Sequence, residues 1–413
     1  LIQVLQMKAN LCFLLAFVWT AGFKLSAAAE SDLSKLAVAK NTFAFKLLKQ
    51  LSTQQPGARV FVSPYSAATA LQMAANGAAG QTKTEMQQVL ETTGLSTAEL
   101  NAACKAASEL LNPKDTNVIL TTANALWYRQ GAAAKPGFLE ANRKIFSSTV
   151  KSLDFGNAPA AEAEINQWAS DQTHGRITGI ANGMIDPLYT DLILANAIYF
   201  KGKWLDPFDA KLTKERPFHP AAGAVKNLPM MEMAKKFTYR KGSGYQAVRL
   251  PYMGYDLAMY VFLPDPGSSP AKLLQIMNGD DWRRVTIPGF SAHEGLVVLP
   301  KFKFENTLEL IAPLKALGMK TAFNNQKSQP DADFSGMFSD PHHISEVRQK
   351  AFVQVSEEGT EAAAVTARAV DSMSGPEPNP PKPFQMIVDR PFVFAIVDAR
   401  SEMILFMGLV NTL

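Results

Sequence analysis

Nine consecutive residues, Leu192 to Phe200, contain a single amide, Asn196, and are otherwise apolar or aromatic. A strand with one wet face alternates polar and apolar residues. An unbroken run like this one predicts a strand covered on both faces. Covering both faces takes a layered fold with a sizeable core. The chain has 413 residues, 47% of them hydrophobic and 19% charged. Those are ordinary proportions for a folded globular protein, and the length holds one large domain or two medium ones. A core of that size forms without disulfides.

Helical spacing dominates the early chain. Leu33, Leu36, Ala37, Ala44, Leu47, Leu48 and Leu51 fall close to one helical face. Further helices are predicted at 66–77, 82–92, 97–111, 159–172 and 307–317. Strand patterns dominate later. Leu257 to Leu263 and Leu296 to Phe304 read as strands, and Lys301 and Lys303 alternate with Phe302 and Phe304 as on a sheet with one buried face. Ala351, Val353 and Val355 alternate with Phe352, Gln354 and Ser356. Phe392–Val397 and Met403–Val410 flank the turn-forming residues Asp398 to Glu402, a hairpin signature. There is no internal repeat. Helices early and strands late fit an α+β fold better than a regular βαβ alternation.

Residues 1–29 read as a leader, and 30–413 as the folded domain. Met7-Lys8 opens a basic stretch, Leu11 to Trp19 is apolar, and Ser26-Ala27-Ala28-Ala29 supplies small residues. That is the order of a secretory signal peptide. The apolar run is shorter than the roughly 20 residues a membrane span needs. A secreted, extracellular protein with no membrane partner is therefore expected. Loss of Lys8 and Lys24 would take the formal charge from +4 to +2, because residues 1–29 hold no acid. Neither value argues for a nucleic-acid partner. Loss of Cys12 would leave Cys104 as the remaining cysteine, so no intrachain disulfide is expected. Cys104 shares a helical face with Ala107 and Leu111, which predicts a buried structural thiol. There is no Asn-x-Ser/Thr sequon, so no N-glycan is expected.

Enzyme signals are poor. The chain has no G-x-S-x-G elbow, no P-loop and no G-x-G-x-x-G. Histidines stand at 174, 219, 293, 342 and 343, none at metal-ligand spacing with another His or Cys. His342 and His343 would point apart on a strand, so solvated or capping roles are predicted. Glu357 and Glu358 would diverge in the same way, which argues against a general acid–base pair. No catalytic residue, metal or cofactor is expected.

The informative segment follows the strand that ends near Ser356. It reads Glu357-Glu358-Gly359-Thr360-Glu361-Ala362-Ala363-Ala364-Val365-Thr366-Ala367. Gly359 permits a hinge. At period two, Thr360, Ala362, Ala364 and Thr366 share one face, small enough to slide into a crowded sheet. Alanine-rich composition taken alone favours a helix. Asp371 to Pro383 follows with five prolines and one glycine. It predicts an exposed, extended loop, and loops of that length in a folded domain are usually functional or disordered.

These residues resemble the hinge of the reactive-centre loop of inhibitory serpins, in which Glu-x-Gly-Thr-x precedes small residues. Further blocks match in family order from about residue 33 to the C-terminus. They are Val60-Phe61-Val62-Ser63-Pro64-Tyr65-Ser66, Asn124-Ala125-Leu126-Trp127, Leu194 to Trp204 and Phe384 to Gly408. The resemblance implies the serpin fold: helices packed around three β-sheets, with an exposed reactive-centre loop. It implies a hinge at Glu357, Gly359, Thr360, Glu361, Ala362, Ala363 and Ala364. It places Ser63, Ser66 and Asn196 where the main sheet opens and Trp204 where the loop first enters. The family often has a histidine in the strand before the hinge. Gln349 stands there in this chain, which implies an altered polar network.

The resemblance also implies a function. A serine protease cuts the loop, remains attached as an acyl-enzyme, and is carried away as the severed loop inserts into the sheet. Gly359 through Met373 is fifteen residues, the family's distance from hinge glycine to bait bond, so the expected reactive bond is Met373–Ser374. A long apolar methionine suits elastase- or chymotrypsin-like enzymes. Arg368 is the rival position. A cut there would leave about nine residues to insert, roughly 30 Å of strand. A monomer is expected, and the scattered Lys83 and Lys105 give no support for activation by heparin. The alternative is a non-inhibitory member serving as carrier, chaperone or storage protein.

Overall fold

Helices come first along the chain, as the apolar spacing predicts. The structure is a computed structural model and describes residues 27–111, 117–325, 331–360 and 382–413. The first half contains α1 (Ala27–Gln54), β1 (Val60–Val62), α2 (Pro64–Ala75), α3 (Gly80–Val89), α4 (Thr97–Leu110), β2 (Val118–Arg129), α5 (Pro136–Phe146), β3 (Thr149–Leu153), α6 (Ala158–Gln172) and β4 (Leu192–Lys203). The second half is mostly strand. It contains β5 (Lys214–Phe218), β6 (Lys226–Gly242), β7 (Tyr245–Pro251), β8 (Leu257–Pro264), α7 (Pro270–Ile276), β9 (Ser291–Pro300), β10 (Phe302–Glu309), α8 (Ile311–Leu317), β11 (Ile344–Ser356), β12 (Gly359–Thr360), β13 (Phe384–Ile387), β14 (Phe392–Asp398) and β15 (Ile404–Val410).

Local chemistry starts the helices. Ser63 accepts from the backbone of Ser66 and Pro64 occupies the first helical turn, so α2 has both a cap and a pre-set φ. Ser96 and Glu99 form a reciprocal capping box on α4. Pro136 opens α5, and Ser269 with Pro270 opens α7. Neither α5 nor α7 is among the expected helices, and α7, at seven residues, is too short to show a period.

Among the described residues the strands form two hydrogen-bonded sheets. One has nine strands in the order β1-β15-β14-β8-β7-β6-β9-β13, with β5 also on β6. The other has the order β10-β11-β12-β4-β2-β3, with β11 also paired to β4. Two of the three expected sheets are thus joined, because β6 runs for 17 residues and serves both. Two strand and helix boundaries also shift. The expected strand Leu296–Phe304 is two strands, since the chain leaves β6 for β11 at Lys301. The helix expected at 307–317 begins only at Ile311; Thr307 to Glu309 are held in β10 by pairing with β11.

All 12 residues of α2 are buried, and the helix lies between β15 of one sheet and β2 and β4 of the other. The expectation of a doubly covered β4 holds. Leu192, Leu194, Ile198 and Phe200 enter the main core. Ile193, Ala195 and Ala197 face a second cluster beneath Ile165, Trp168 and Ala169 of α6. Small residues on that second face let the helix approach closely. Cys104 is buried among α4 neighbours in the main core, as expected.

Candidate functional site: the hinge and the parallel seam

Strands β4 and β11 run parallel, from the Leu192–Ile344 pair to the Tyr199–Phe352 pair. Beyond that the strands part, and β12 lies between them. Gly359 pairs with Ser356 of β11 and Lys203 of β4; Thr360 pairs with Val355 and Gly202. The segment following β11 therefore turns back at Glu357-Glu358 and enters the sheet as a strand antiparallel to both neighbours.

Gly359 has φ of +151°, and a Cβ there would lie 2.1 Å from the Gly202 carbonyl oxygen. Only glycine fits this approach. Thr360 is fully buried. Its hydroxyl is 2.8 Å from that of Tyr252, a pairing that satisfies two groups with no access to water. Burial pushes the Tyr252 phenol well above its usual range, offset in part by the Thr360 contact.

Trp204 closes the arrangement. Its ring stacks on Tyr252 with centroids 4.6 Å apart, and its indole N–H donates to the Ser356 carbonyl at 2.9 Å. Its backbone N–H donates to Glu358 O, and that of Phe208 to Glu357 O. The Glu357 carboxylate meets Lys301 Nζ at 2.8 Å and accepts from Thr213 Oγ1 at 2.9 Å. Burial disfavours the Glu357 charge, but the Lys301 and Thr213 bonds outweigh it and hold the carboxyl below its usual range.

Farther along the seam, Gln349 and Asn196 are cross-strand neighbours. Gln349 Oε1 accepts from the Ser63 backbone N–H at 2.7 Å, while Nε2 donates to Ser63 O at 2.9 Å and Asn196 Oδ1 at 2.8 Å. Asn196 Nδ2 faces Ser66 Oγ and Asn124 Oδ1. Ser63 Oγ donates to Leu405 O at 2.6 Å. The N-cap of the central helix is thus bonded directly across the seam, through amides and hydroxyls that carry no charge.

The structure brings Ser63, Ser66, Asn196 and Gln349 together, and sets Trp204 beside Glu357, Gly359 and Thr360. Glu361, Ala362, Ala363, Ala364, Arg368, Met373 and Ser374 lie outside the described residues. Sequence reasoning missed Tyr252, Lys301 and Thr213, which reach the hinge from three other parts of the chain with no local spacing to mark them. It also misread His342 and His343. The expected roles are solvated or capping; His342 is instead 8% exposed, His343 is partly buried at the edge of a cleft, and both lie against Asp191. They precede β11 instead of alternating along it, so nothing forces them apart.

Fold and site together define an α+β protein in which a connecting segment has begun to enter the main sheet between two parallel strands. A family model described as Serpin (serine protease inhibitor) matches residues 38–413. Bovine leukocyte elastase inhibitor is 35% identical over 387 residues, covering 91% of this chain and 99% of its own. The crystal structure of Serpin48 from the insect Tenebrio molitor matches with TM-score 0.78 and 30% identity, covering 92% of this chain and 98% of its own. Human thyroxine-binding globulin, solved in complex with thyroxine, matches with TM-score 0.80 and 26% identity over 92% of this chain and 99% of its own. The chain belongs to the serpin family.

Proposed function

We propose that this chain is a secreted inhibitory serpin that traps elastase- or chymotrypsin-like serine proteases through a bait bond at Met373–Ser374. The observation carrying this reading is the position of β12. Gly359 and Thr360 are already paired on both sides, so the following residues have a register to continue in. β4 offers 12 positions along its length. In a strand continued from buried Thr360, Ala362 and Ala364 would share its face, and their side chains are small.

A protease that attacks the Met373 carbonyl forms an acyl-enzyme and releases the Ser374 amine. The freed segment then adds a strand antiparallel to β4 and β11. About a dozen ladder hydrogen bonds at roughly 1 kcal/mol net each, with burial of the inward side chains, make that step strongly downhill. The attached enzyme is dragged along before water can release it. Ser63, Ser66, Asn196 and Gln349 lie where β4 and β11 have to separate, and Trp204 stands at the head. The bovine relative's name as an elastase inhibitor agrees with a methionine bait.

Incubation with elastase, chymotrypsin and trypsin tests this. Expected are complexes with elastase or chymotrypsin that survive denaturing gels, and a released peptide whose mass starts at Ser374. Thr360→Arg puts a charge where the hinge is buried, so cleavage should proceed without trapping. Full trapping by that variant would refute insertion. The second reading, a carrier, is favoured by the likeness to thyroxine-binding globulin; it expects no stable complex with any of the three.

A further inference from the structure

The far end of the seam carries a cluster of charged groups. Asp191 is the last residue before β4, and His342 and His343 lie just before β11. Their side chains meet across the seam. Asp191 Oδ1 is 2.7 Å from His342 Nδ1. Asp191 Oδ2 accepts from the His343 backbone N–H at 2.8 Å and lies 3.4 Å from His343 Nδ1. The Asp191 N–H donates to Ser345 Oγ at 2.8 Å, and His343 Nε2 lies 3.2 Å from the same oxygen. The partners of one aspartate therefore come from the opposite strand's approach.

The other charged groups here belong to the same assembly. Asp340 Oδ2 lies 2.9 Å from His342 Nε2, out of line for a hydrogen bond. Arg129, at the end of β2, bonds the Thr190 and Pro187 carbonyls, and its N–H donates to Asp191 O. Glu346 on β11 is paired to Arg348. The Phe338 ring packs 4.3 Å from the His342 ring. A cleft of about 570 Å³ opens beside the cluster and admits solvent to its edge; Tyr189, His343 and Ser345 line it together with the charged side chains of Asp186, Glu309 and Lys315.

We propose that Asp191, His342 and His343 form a latch across the distal end of the β4–β11 seam. It has to open before an inserted strand can run the full length of β4, and it tightens when His342 is protonated. This rests on the strand uptake proposed above. Continuing the register Gly359–Lys203, Thr360–Gly202 carries a strand along all 12 residues of β4 and up to Asp191. A strand there displaces β11 from β4 and so takes His342 and His343 off the aspartate. The hinge end can load while the latch is closed; completion cannot.

Burial works against a charged His342, but the bond to Asp191 and the charges of Asp191 and Asp340 outweigh it and raise its pKa above the usual 6.5. Burial likewise opposes charge on Asp191, and the histidine bonds overcome it and hold the carboxyl below its usual range. The stabilisation from His342 is therefore fully present below its ordinary pKa and lost as pH rises through the raised one. That from Asp191 is present at all pH values above the ordinary carboxylate range. Mild acid closes the latch and mild alkali loosens it.

The test uses the full chain and a synthetic peptide with the sequence of residues 359–372, whose annealing into the sheet is timed on native gels. No protease takes part, so the titration of a catalytic histidine does not intrude. Annealing should slow by about fivefold or more from pH ~8.5 to pH ~6, a barrier difference near 1 kcal/mol. Asp191→Asn and His342→Gln should each anneal at pH ~6 as fast as the parent does at pH ~8.5. An equal parent rate at both values, or a pH dependence that persists in both variants, overturns the latch. Peptide that anneals to no variant at either pH overturns strand uptake itself, and the latch with it.

Discussion

Gln349 is fully buried and holds three hydrogen bonds, two of them to the backbone of Ser63. Cutting it to alanine would leave the Ser63 N–H and the Asn196 Oδ1 without those partners. Each abandoned buried group costs about 1–3 kcal/mol, so Gln349→Ala should lower unfolding free energy by about 3 kcal/mol in urea titrations. An imidazole in the same place would sit among amides and hydroxyls with no acid beside it. Gln349→His should therefore destabilise the protein increasingly below pH ~6.5, where the unfolded chain takes up the proton more readily. At this scale the sequence was legible in part. Resemblance located Gln349, Ser63, Ser66 and Asn196, and nothing in their spacing did. Tyr252 and the Asp191–His342 contact were illegible, because each joins residues more than a hundred positions apart.

Among elements, β12 has the least to hold it: two residues, one of them glycine. Gly359→Ala would drive a methyl into the Gly202 carbonyl and strain a φ that side chains rarely adopt. Thr360 should then leave its place under Tyr252. Hydrogen exchange should report this as faster exchange of the Gly202 and Trp204 amides, which face Thr360 and Glu358, with β14 and β15 unchanged. Long elements were well predicted. α1, α2, α4 and α6 have apolar faces long enough to show their period, and β14 with β15 declares its hairpin through the residues between them. What failed was short or shared. α7 spans seven residues. The Leu296–Phe304 pattern continues through a change of sheet at Lys301, which alternation alone cannot reveal. The alanine-rich hinge, whose composition favours a helix, starts as strand at Thr360 because two neighbours offer it a ladder.

At the scale of the molecule, a nine-stranded sheet and a six-stranded sheet are held apart by one buried helix. If the second sheet accepts a further strand, its parallel pair becomes two antiparallel pairs and the molecule gains stability on being cut. A preparation clipped once between residues 361 and 381 should melt more than about 10 °C above the intact protein, given roughly ten further hydrogen bonds and a few degrees per kcal/mol at most for a chain this size. Scanning calorimetry of the two forms measures it. A carrier without insertion would show equal midpoints.

Trp204 offers a way to watch all this without a label. Its indole lies flat against the Tyr252 phenol and donates its N–H hydrogen bond to the carbonyl of Ser356, the last residue before the chain turns back. Both contacts shape how an excited indole relaxes. As the neighbouring segment moves from two seated residues to a full strand, the emission of this one ring should change in colour and lifetime. The molecule carries its own optical gauge at the point where the movement begins.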